Sequence, residues 1–435
     1  MSKKVEPTML IKSLAIKNFR CFEEITINLN EKYTILVGSN GAGKSTILDA
    51  IAISLGSYIS AFDNLKSNTI HKTDAHYKMY AQGSVVNSEP QFPVEITVCA
   101  EREKKEVIWK RALNSSTGRT TVGDAKNIID IAHKIQKQIS DKNTILPLIT
   151  YYGTGRLWMQ KKERRANNIK RKSSRLDGYI DCLDAASNEK LMLKWFEKMT
   201  YIQLQEGRLI PELEAVKKAM EICYKSTSDS IKTVRFAYNV KSYELEITLW
   251  KTDDTVERLP VSLMSDGIKS TLSMVADIAY RMAVLNPDLL DDVLKTPGIV
   301  LIDELDMHLH PNWQKKIIKD LGTIFPELQF ICTTHSPSVL VNVPKEHILI
   351  FDNYQVYEPQ NNTYGRDVQA ILREIMGADV RPPEVTSMIE SFYEAIDNEE
   401  LVLARKILEE LVAVLGENDS EFIKAKISLD LEECD

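Results

Sequence analysis

The sequence lacks any apolar run near the ~20 residues that a membrane-spanning helix requires, so we expect no membrane partner. Its six cysteines lie far apart and form no CxxC pair, which argues against a disulfide framework or a zinc ribbon and fits a reducing compartment. The N-terminal residues MSKKVEPTMLIKS contain no apolar signal-peptide core, and no heptad run is long enough for a coiled coil. Together these absences predict a soluble, cytoplasmic protein.

Charge is unevenly distributed along the 435 residues, whose formal net charge is −7. The segment from Glu384 to Asp435 holds fifteen acidic and four basic residues, which leaves the rest of the chain at +4. A solvated acidic helical face explains this asymmetry most simply, and a separate binding surface is the alternative. The hydrophobic content of 43% is enough for a sizeable core, and the length allows two or three domains.

Alternating apolar and polar residues predict an α/β protein. Strands are expected in the first forty residues at LIKSLAIKNF, EEITINL and KYTILVG, followed by a helix at STILDAIAISL. Residues 58–90 are polar and lead us to expect irregular structure. Further strands and helices follow as far as the strand HILIFD, and the last eighty residues predict a helical hairpin.

A phosphate-binding loop is the most specific motif. Gly38-Ser39-Asn40-Gly41-Ala42-Gly43-Lys44-Ser45 fits the pattern G-x-x-x-x-G-K-[ST] between a predicted strand and a predicted helix. The backbone N–H groups of such a loop surround phosphates at a helix N-terminus, where Lys44 would reach the β and γ oxygens and Ser45 a magnesium ion. We therefore predict a nucleoside triphosphate and Mg²⁺ as ligands, with Thr46 also in contact with the nucleotide.

Two buried strands end in residues that could act on this nucleotide. The run GIVLI is followed by Asp303, expected to bind magnesium, and by Glu304, expected to orient and deprotonate the attacking water. Downstream, FICTTH ends a second buried strand at His335, which could sense a γ-phosphate. Lys44, Glu304 and His335 are thus the predicted catalytic residues.

A second glycine-bearing turn lies more than two hundred residues after the phosphate loop. The stretch VSLMSDGIKST, residues 261–271, leads into a predicted helix from about Ile268 to Leu285. A helix start offers free N–H groups to an anion. By itself, however, Asp266 acting as an ordinary N-cap is the better explanation of the turn.

Taken in this order, the phosphate loop, the SDG turn, the apolar-Asp-Glu strand and the TTH strand resemble the ABC-type ATPase heads of the RecF, SMC and OLD group. The opening LAIKNFRCFEEITINL is similar to the N-terminal pattern of that group. The resemblance implies ATP as the nucleotide and an α/β P-loop head, with mixed and parallel sheet flanked by helices, a helical insertion and a helical C-terminal region. The domains expected on this basis are an ATPase lobe at 1–155, the insertion at 156–230, a second ATPase lobe at 231–355 and the acidic C-terminal region at 356–435.

The same resemblance implies roles for residues outside the phosphate loop. Arg20 would lie near the nucleotide. In the group, the signature turn of one subunit closes over the ATP held by another subunit. Ser265 and Gly267 would therefore contact the γ-phosphate in trans, and Asp306 would lie in the loop that crosses to the partner's site.

Two features depart from the pattern of the group. Asp266 stands where a small residue is usual, and we expect it to point away from the nucleotide as the helix cap. The glutamine that usually links a strand to magnesium is missing. Tyr152 and Arg156, at the end of the predicted strand in PLITYYGTGR, are the candidate substitutes.

The length of the chain and its segments outside the shared motifs indicate which members of this group it resembles. The 220 residues from Ser45 to Ser265 contain none of the long coiled coils of an SMC protein. The 100 residues after His335 are predicted to be helical and lack the DxD carboxylates expected of the Toprim domain of an OLD nuclease. TYYGTGRLW, DELDMHLHP, TTHSPSVL and YGRDVQAILREIMGADVRPPEV are similar to the PtuA ATPases of bacterial Septu anti-phage systems, including those in some retrons. This likeness implies a homodimer or higher oligomer and a separate HNH nuclease subunit similar to PtuB. The alternatives are a RecF-like DNA-repair or maintenance ATPase without a nuclease, and a nucleotide-gated scaffold that hydrolyses ATP very slowly.

A basic segment could add a nucleic-acid contact. Residues 160–175 read QKKERRANNIKRKSSR and hold eight basic residues and one acidic residue. Lys170, Arg171 and Lys172 could contact the phosphates of DNA or RNA. An exposed solubilising loop is at least as good an interpretation of the segment.

Overall fold

The computed structural model describes residues 9–66, 68–82, 85–157, 174–184 and 189–432. The chain divides into two compact units, Met1–Arg366 and Asp367–Asp435.

The strands and helices of the first unit alternate along the chain. Its described strands are β1 (Leu10–Phe19), β2 (Phe22–Asn28), β3 (Tyr33–Gly38), β4 (Tyr77–Gln82), β5 (Val85–Pro90), β6 (Val94–Arg102), β7 (Lys105–Leu113), β8 (Leu148–Tyr152), β9 (Ile231–Asn239), β10 (Glu244–Lys251), β11 (Val256–Pro260), β12 (Gly298–Ile302), β13 (Leu328–Thr333), β14 (Ile348–Asp352) and β15 (Gln355–Tyr357). Its described α-helices are α1 (Lys44–Ile59), α2 (Lys126–Lys137), α3 (Glu189–Glu206), α4 (Pro211–Lys225), α5 (Asp266–Leu285), α6 (Pro311–Gln314), α7 (Ile317–Ile324) and α8 (Pro337–Leu340).

The main sheet carries the phosphate loop and has the strand order β15-β14-β3-β13-β12-β8. From β14 to β8 all neighbouring strands are parallel, and β15 closes one edge in the antiparallel direction. Strands β8, β12 and β13 are buried at every position, as expected for parallel strands that are covered on both faces. Because these strands are parallel, their carboxyl ends meet at one edge, where the predicted site residues follow.

Helix α1 lies between the main sheet and a second, antiparallel sheet of order β2-β1-β6-β7. It contacts β3, β12 and β13 on one side and β6 and β7 on the other. Nearly all of its side chains are buried, which explains why its sequence is apolar on all faces. The remaining described strands form an antiparallel sheet of order β11-β10-β9 and the hairpin β4-β5.

The side chain of Gln329 joins the main sheet to the antiparallel sheet. Its Oε1 accepts a hydrogen bond from the N–H of Ile11 at 2.9 Å, and its Nε2 donates to the carbonyl oxygen of Ile11 at 2.8 Å. The same Nε2 donates to the carbonyl oxygen of Asn30 at 2.7 Å. Gln329 is completely buried on β13, so one amide satisfies backbone groups of β1 and of the loop after β2.

Two predictions about local structure are wrong. Residues 58–90 are not irregular throughout, because they contain the β4-β5 hairpin. Its large side chains Tyr77, Met79 and Tyr80 are all exposed, so the sequence shows no regular alternation of buried apolar and exposed polar positions. The C-terminal unit is not a helical hairpin. It contains α9 (Val368–Glu374), α10 (Pro383–Asp397), α11 (Leu401–Leu415) and α12 (Ser420–Glu432), of which the last three share one apolar core.

The error at the C-terminus has a simple cause in α12. Phe422 and Leu429 of this helix pack into the core, while Ile423 and Ile427 are exposed. Apolar residues therefore lie on two faces of the helix and obscure the helical period on which the prediction depends.

The predicted fold class is confirmed, with a mixed, largely parallel sheet flanked by helices and a helical C-terminal region. Among the described residues, no helix combines the length and the apolar character needed to cross a membrane.

We expect the substitution Gln329→Leu to lower the free energy of unfolding by about 3 kcal/mol, because it leaves three buried backbone groups without their partner. Chemical denaturation followed by circular dichroism measures the change. Gln355→Leu, at an exposed position of β15, is the matched control and should change stability little. Equal stability of the two variants would contradict the role given to Gln329.

Candidate active site

The phosphate loop connects β3 to α1 at the carboxyl edge of the main sheet. Gly43 is the N-cap of α1 and has a φ angle of 98°, in the left-handed region that favours glycine. A Cβ at this position would lie 2.4 Å from the ring of Phe22. Both the backbone conformation and the close approach of the aromatic ring therefore require glycine at position 43.

Lys44 is held by the loop itself. Its Nζ donates to the carbonyl oxygens of Gly38 at 2.9 Å and Ser39 at 2.8 Å. Burial lowers the pKa of Lys44, an effect that the nearby carboxylates of Asp303 and Glu304 oppose. The ammonium group thus stands beside the loop and the acidic residues, where the oxygens of a bound phosphate would need a positive charge.

Asp303 connects three segments of the chain. Its Oδ1 accepts hydrogen bonds from the hydroxyl of Ser45 at 3.0 Å and from the hydroxyl of Thr333 at 2.6 Å. Its backbone N–H donates to the carbonyl oxygen of Tyr152 at 2.8 Å. The carboxylate is buried, so these hydrogen bonds stabilise a charge that burial alone would disfavour.

Glu304 follows directly in a left-handed conformation with φ of 49°. Its N–H donates to the hydroxyl of Thr333 at 2.7 Å, so the same hydroxyl holds both members of the Asp-Glu pair. A non-glycine residue in this conformation is uncommon and is often found at functional sites. The turn ends strand β12 and leaves the half-buried Glu304 at the wall of the site cavity described below.

Asp306 binds to the end of β13 in its own chain. Its Oδ1 accepts hydrogen bonds from the hydroxyl of Thr334 and from the N–H of His335, the latter at 3.3 Å. Burial and the charge of Lys44 lower the pKa of His335, an effect that the carboxylates oppose. Burial and Lys44 thus favour the neutral form of the imidazole.

Arg20 lies in the turn between β1 and β2 and binds two carboxylates. Its Nε donates to Asp74 at 2.9 Å, and its second guanidinium contact is with Asp49 on α1. Asp49 also accepts a hydrogen bond from the hydroxyl of Tyr151 at 2.9 Å. These contacts fix the guanidinium beside the N-terminal half of α1, the helix that begins at the phosphate loop.

Most of the predicted residues line one cavity of about 260 Å³. The lining consists of Arg20, Cys21, Asn40, Gly41, Gly43, Lys44, Ser45, Thr46, Asp303, Glu304 and His335. Gly38, Ser39 and Ala42 belong to the same phosphate loop but do not line the cavity. The cavity joins a phosphate loop, a cationic side chain, two carboxylates and a histidine, which is the set of groups needed to bind and hydrolyse a nucleoside triphosphate.

The residues expected to bind magnesium fit that ion. The hydroxyl of Ser45 and the carboxylate of Asp303 are hard oxygen donors and lie 3.0 Å apart. Mg²⁺ in phosphate sites typically takes one or two protein oxygens together with water and substrate phosphates. This pair therefore matches the ligand set that such an ion would require from the protein.

The signature turn lies outside the cavity lining of its own chain. Ser265 is the N-cap of α5, and its side chain makes no capping hydrogen bond. Gly267 packs against the loop that follows the Asp-Glu pair, since a Cβ at this position would lie 2.0 Å from the carbonyl oxygen of His308. The turn and the loop from Asp306 to His308 are therefore parts of one surface.

The prediction that Asp266 is the helix cap is wrong. Ser265 occupies the cap position, and Asp266 is the first residue of the helix. The Asp266 side chain is 65% exposed and forms an ion pair with Lys269 at 2.8 Å, which lowers the pKa of the carboxyl. An acidic residue in the first turn still interacts favourably with the helix dipole, which explains why it is tolerated there.

Tyr152 does not take the place of the missing glutamine with its side chain. Its hydroxyl donates to Asp277 on α5 at 2.7 Å, and only its carbonyl oxygen contacts Asp303, through the N–H of that residue. The side chain of Arg156 and the predicted nucleic-acid contacts Lys170, Arg171 and Lys172 lie outside the described residues.

Several residues of the site are absent from the sequence prediction. Cys21 lines the cavity, with its Sγ 3.9 Å from the hydroxyl of Thr46, and burial raises its pKa. Asp49 and Tyr151 support Arg20, and Thr333 supports Asp303. Only Thr333 carries a signal in the sequence, as a polar residue at the carboxyl end of an otherwise buried strand.

Sequence and structure comparisons find several proteins similar to this chain. One AAA domain model matches residues 13–227, and another, whose description also mentions an AbiEii toxin of a type IV toxin–antitoxin system, matches residues 212–342. A "Retron Vc95 probable ATPase" of Vibrio cholerae is 26% identical, covering 88% of this chain and 82% of the relative. A "Septu protein PtuA" of Bacillus thuringiensis is also 26% identical, covering 90% of each. The structure of an SMC head bound to a domain of ScpA aligns with a TM-score of 0.46 and 18% identity, covering 80% of this chain and 96% of that one.

The resemblance seen in the sequence is thus confirmed, because retron and Septu proteins match over most of this chain. The two AAA domain matches together span the phosphate loop, the signature turn and the strands that end in Asp303 and Thr333.

We expect Thr333→Val to lower the affinity for Mg²⁺ in the presence of ATP by about 10- to 100-fold, because valine keeps the shape but holds neither Asp303 nor Glu304. Titration of Mg²⁺ at fixed ATP, followed by calorimetry, measures the change. The control is Thr323→Val on the exposed face of α7. The hydroxyl of Thr323 donates to the carbonyl oxygen of Lys319 in the same helix. An unchanged Mg²⁺ requirement in Thr333→Val would remove this hydroxyl from the metal site.

Proposed function

We propose that this chain, similar over most of its length to a retron ATPase and to Septu PtuA, hydrolyses ATP in a site that a second copy completes. The observation that carries the proposal is the cavity shared by Lys44, Asp303, Glu304 and His335. The signature turn at Ser265 lies outside this lining and is available to another molecule.

Each group in the cavity has a chemical part in the proposed reaction. The phosphate loop and Lys44 bind the triphosphate and stabilise the charge that develops on the γ-phosphoryl group. Ser45 and Asp303 hold the magnesium ion. Glu304 accepts a proton from the attacking water, and His335 hydrogen-bonds near the γ-phosphate.

The proposed sandwich dimer is supported by the surface around the signature turn. Leu263, two residues before Ser265, is 75% exposed and would be covered by a partner that docks on the turn. Ser265 has no capping bond to lose, and the first N–H groups of α5 can face an anion. Because Gly267 packs on His308, the turn and the Asp306 loop would approach the partner's ATP together.

We further propose that the chain serves in anti-phage defence, where its nucleotide state controls an associated HNH nuclease subunit. The names of the retron and Septu relatives support the defence role. The alternative is a RecF-like DNA-maintenance ATPase without a nuclease partner. A slowly hydrolysing scaffold differs from both in its measured ATP turnover.

We expect Glu304→Gln to form dimers with ATP and Mg²⁺, since it keeps the shape of the side chain but cannot take the proton from water and so retains ATP. Analytical ultracentrifugation with and without ATP measures the dimer. Adding Ser265→Arg to the same chain should abolish dimerisation and leave ATP binding by its own phosphate loop intact. Ser242→Arg, in the exposed turn between β9 and β10, is the matched control. A monomer at every ATP concentration would contradict the shared site.

We expect an HNH subunit encoded beside this chain to co-purify with it when the two are co-expressed, and to remain bound to the variant Lys44→Ala. Size-exclusion chromatography with light scattering gives the mass of the complex. If no such subunit is encoded there, or if it elutes separately, the RecF-like alternative is favoured.

A further inference from the structure

Two consecutive tyrosines end strand β8 and extend to opposite faces of the main sheet. β8 is the edge strand next to β12, and Tyr152 pairs in register with Ile302, the residue before Asp303. Neighbouring residues of a strand direct their side chains to opposite faces. Tyr151 and Tyr152 are both buried, so each hydroxyl must find a partner on its own side.

On one face, Tyr151 is linked to the nucleotide cavity. Its hydroxyl donates to Asp49 of α1 at 2.9 Å, and the other oxygen of Asp49 accepts from Arg20, which lines the cavity. Burial and the charge of Asp49 raise the pKa of Tyr151, so this phenol remains a hydrogen-bond donor at any physiological pH.

On the other face, Tyr152 is linked to the signature helix. Its hydroxyl donates at 2.7 Å to Oδ2 of Asp277, and Nε of Arg281 donates to the same oxygen at 2.7 Å. A terminal nitrogen of Arg281 donates to the carbonyl oxygens of Gly178 at 2.8 Å and Ile180 at 2.9 Å. A buried ion pair with a shared tyrosine thus fixes α5 to the edge of the sheet.

The backbone of Tyr152 completes the connection. Its carbonyl oxygen accepts the N–H of Asp303 at 2.8 Å, so one residue contacts both the metal-binding strand and α5. Asp277 lies twelve residues after Ser265 in the same helix, about 18 Å along its axis. A small rotation of α5 at Asp277 would therefore move the signature turn by a larger distance.

We propose that Tyr152 and Asp277 are positioning residues, which hold the signature helix at a fixed angle to the metal-binding strand so that Ser265 meets the triphosphate of a second copy. The inference rests on the proposed function and names the residues that set its geometry. Neither residue lines the cavity, and both act through the turn at the start of α5.

The test is Tyr152→Phe, which keeps the ring and removes only the hydroxyl that binds Asp277. We expect ATP affinity of the isolated chain to change less than twofold, because the phosphate loop and Asp303 are untouched. In the Glu304→Gln background, ATP-driven dimerisation should weaken by about 10- to 100-fold, and in the parent chain kcat should fall by a similar factor, since the turn would be misplaced in the shared site.

Tyr393→Phe is the matched control, because its hydroxyl donates to Glu421 of α12 within the C-terminal unit and takes no part in the contacts of Asp277 or Asp303. A double-mutant cycle with Asp277→Asn adds a second criterion. If Tyr152 acts through Asp277, the losses in kcat from the two substitutions are non-additive, and the double variant resembles the worse single variant.

The outcomes separate this inference from the proposed function. If Glu304→Gln itself does not dimerise with ATP, the shared site is wrong. If it dimerises and Tyr152→Phe dimerises equally well, the shared site stands and the positioning role is overturned. Equal losses of ATP affinity and dimerisation in Tyr152→Phe would likewise overturn it, since they would indicate general damage to the fold.

Discussion

The site depends on one buried carboxylate oxygen. Oδ1 of Asp303 accepts hydrogen bonds from Ser45 and Thr333, residues that lie 258 and 30 positions away in the sequence. The phosphate loop and β13 must both be in place for these hydrogen bonds to satisfy the buried carboxyl group. The same contacts bring together Ser45 and Asp303, the proposed magnesium ligands, and hold the turn that carries Glu304. The fold of this sheet edge therefore also assembles the proposed catalytic groups.

From this edge, a continuous path leads to the surface that the proposed dimer would use. Glu304 shares Thr333 with Asp303, and two residues later Asp306 binds Thr334 and the backbone of His335. The loop then reaches His308, on which Gly267 of the signature turn packs. A change at His335 or Glu304 on ATP binding would thus displace the same loop that supports the signature turn. Gly267 has no room for a side chain, which keeps the two segments in direct backbone contact.

The sequence predicts the parts of this site that consist of one short motif. It does not predict contacts between residues that lie far apart in the sequence. The phosphate loop, the Asp-Glu strand and the histidine strand are each identified within a few residues, because strand, turn and helix patterns are local. Gln329 and Ile11 are 318 positions apart, and nothing in either segment indicates that one amide will join them. The sequence does not distinguish Asp266 from Ser265 as the cap, because Asp and Ser are equally good N-cap residues and only the backbone angles separate them.

Tyr152 differs from the glutamine that usually links a strand to magnesium in the group that this chain resembles, because its contacts are with the protein itself. The hydroxyl of Tyr152 instead binds Asp277 in the core, and its carbonyl oxygen binds the N–H of Asp303, with no ligand between them. If Tyr152 and Asp277 position α5 as proposed, the angle of the helix is set before ATP arrives, and a preorganised surface loses less entropy on association than a mobile one. In the proposed dimer, ATP would then have to supply only the contact across the interface.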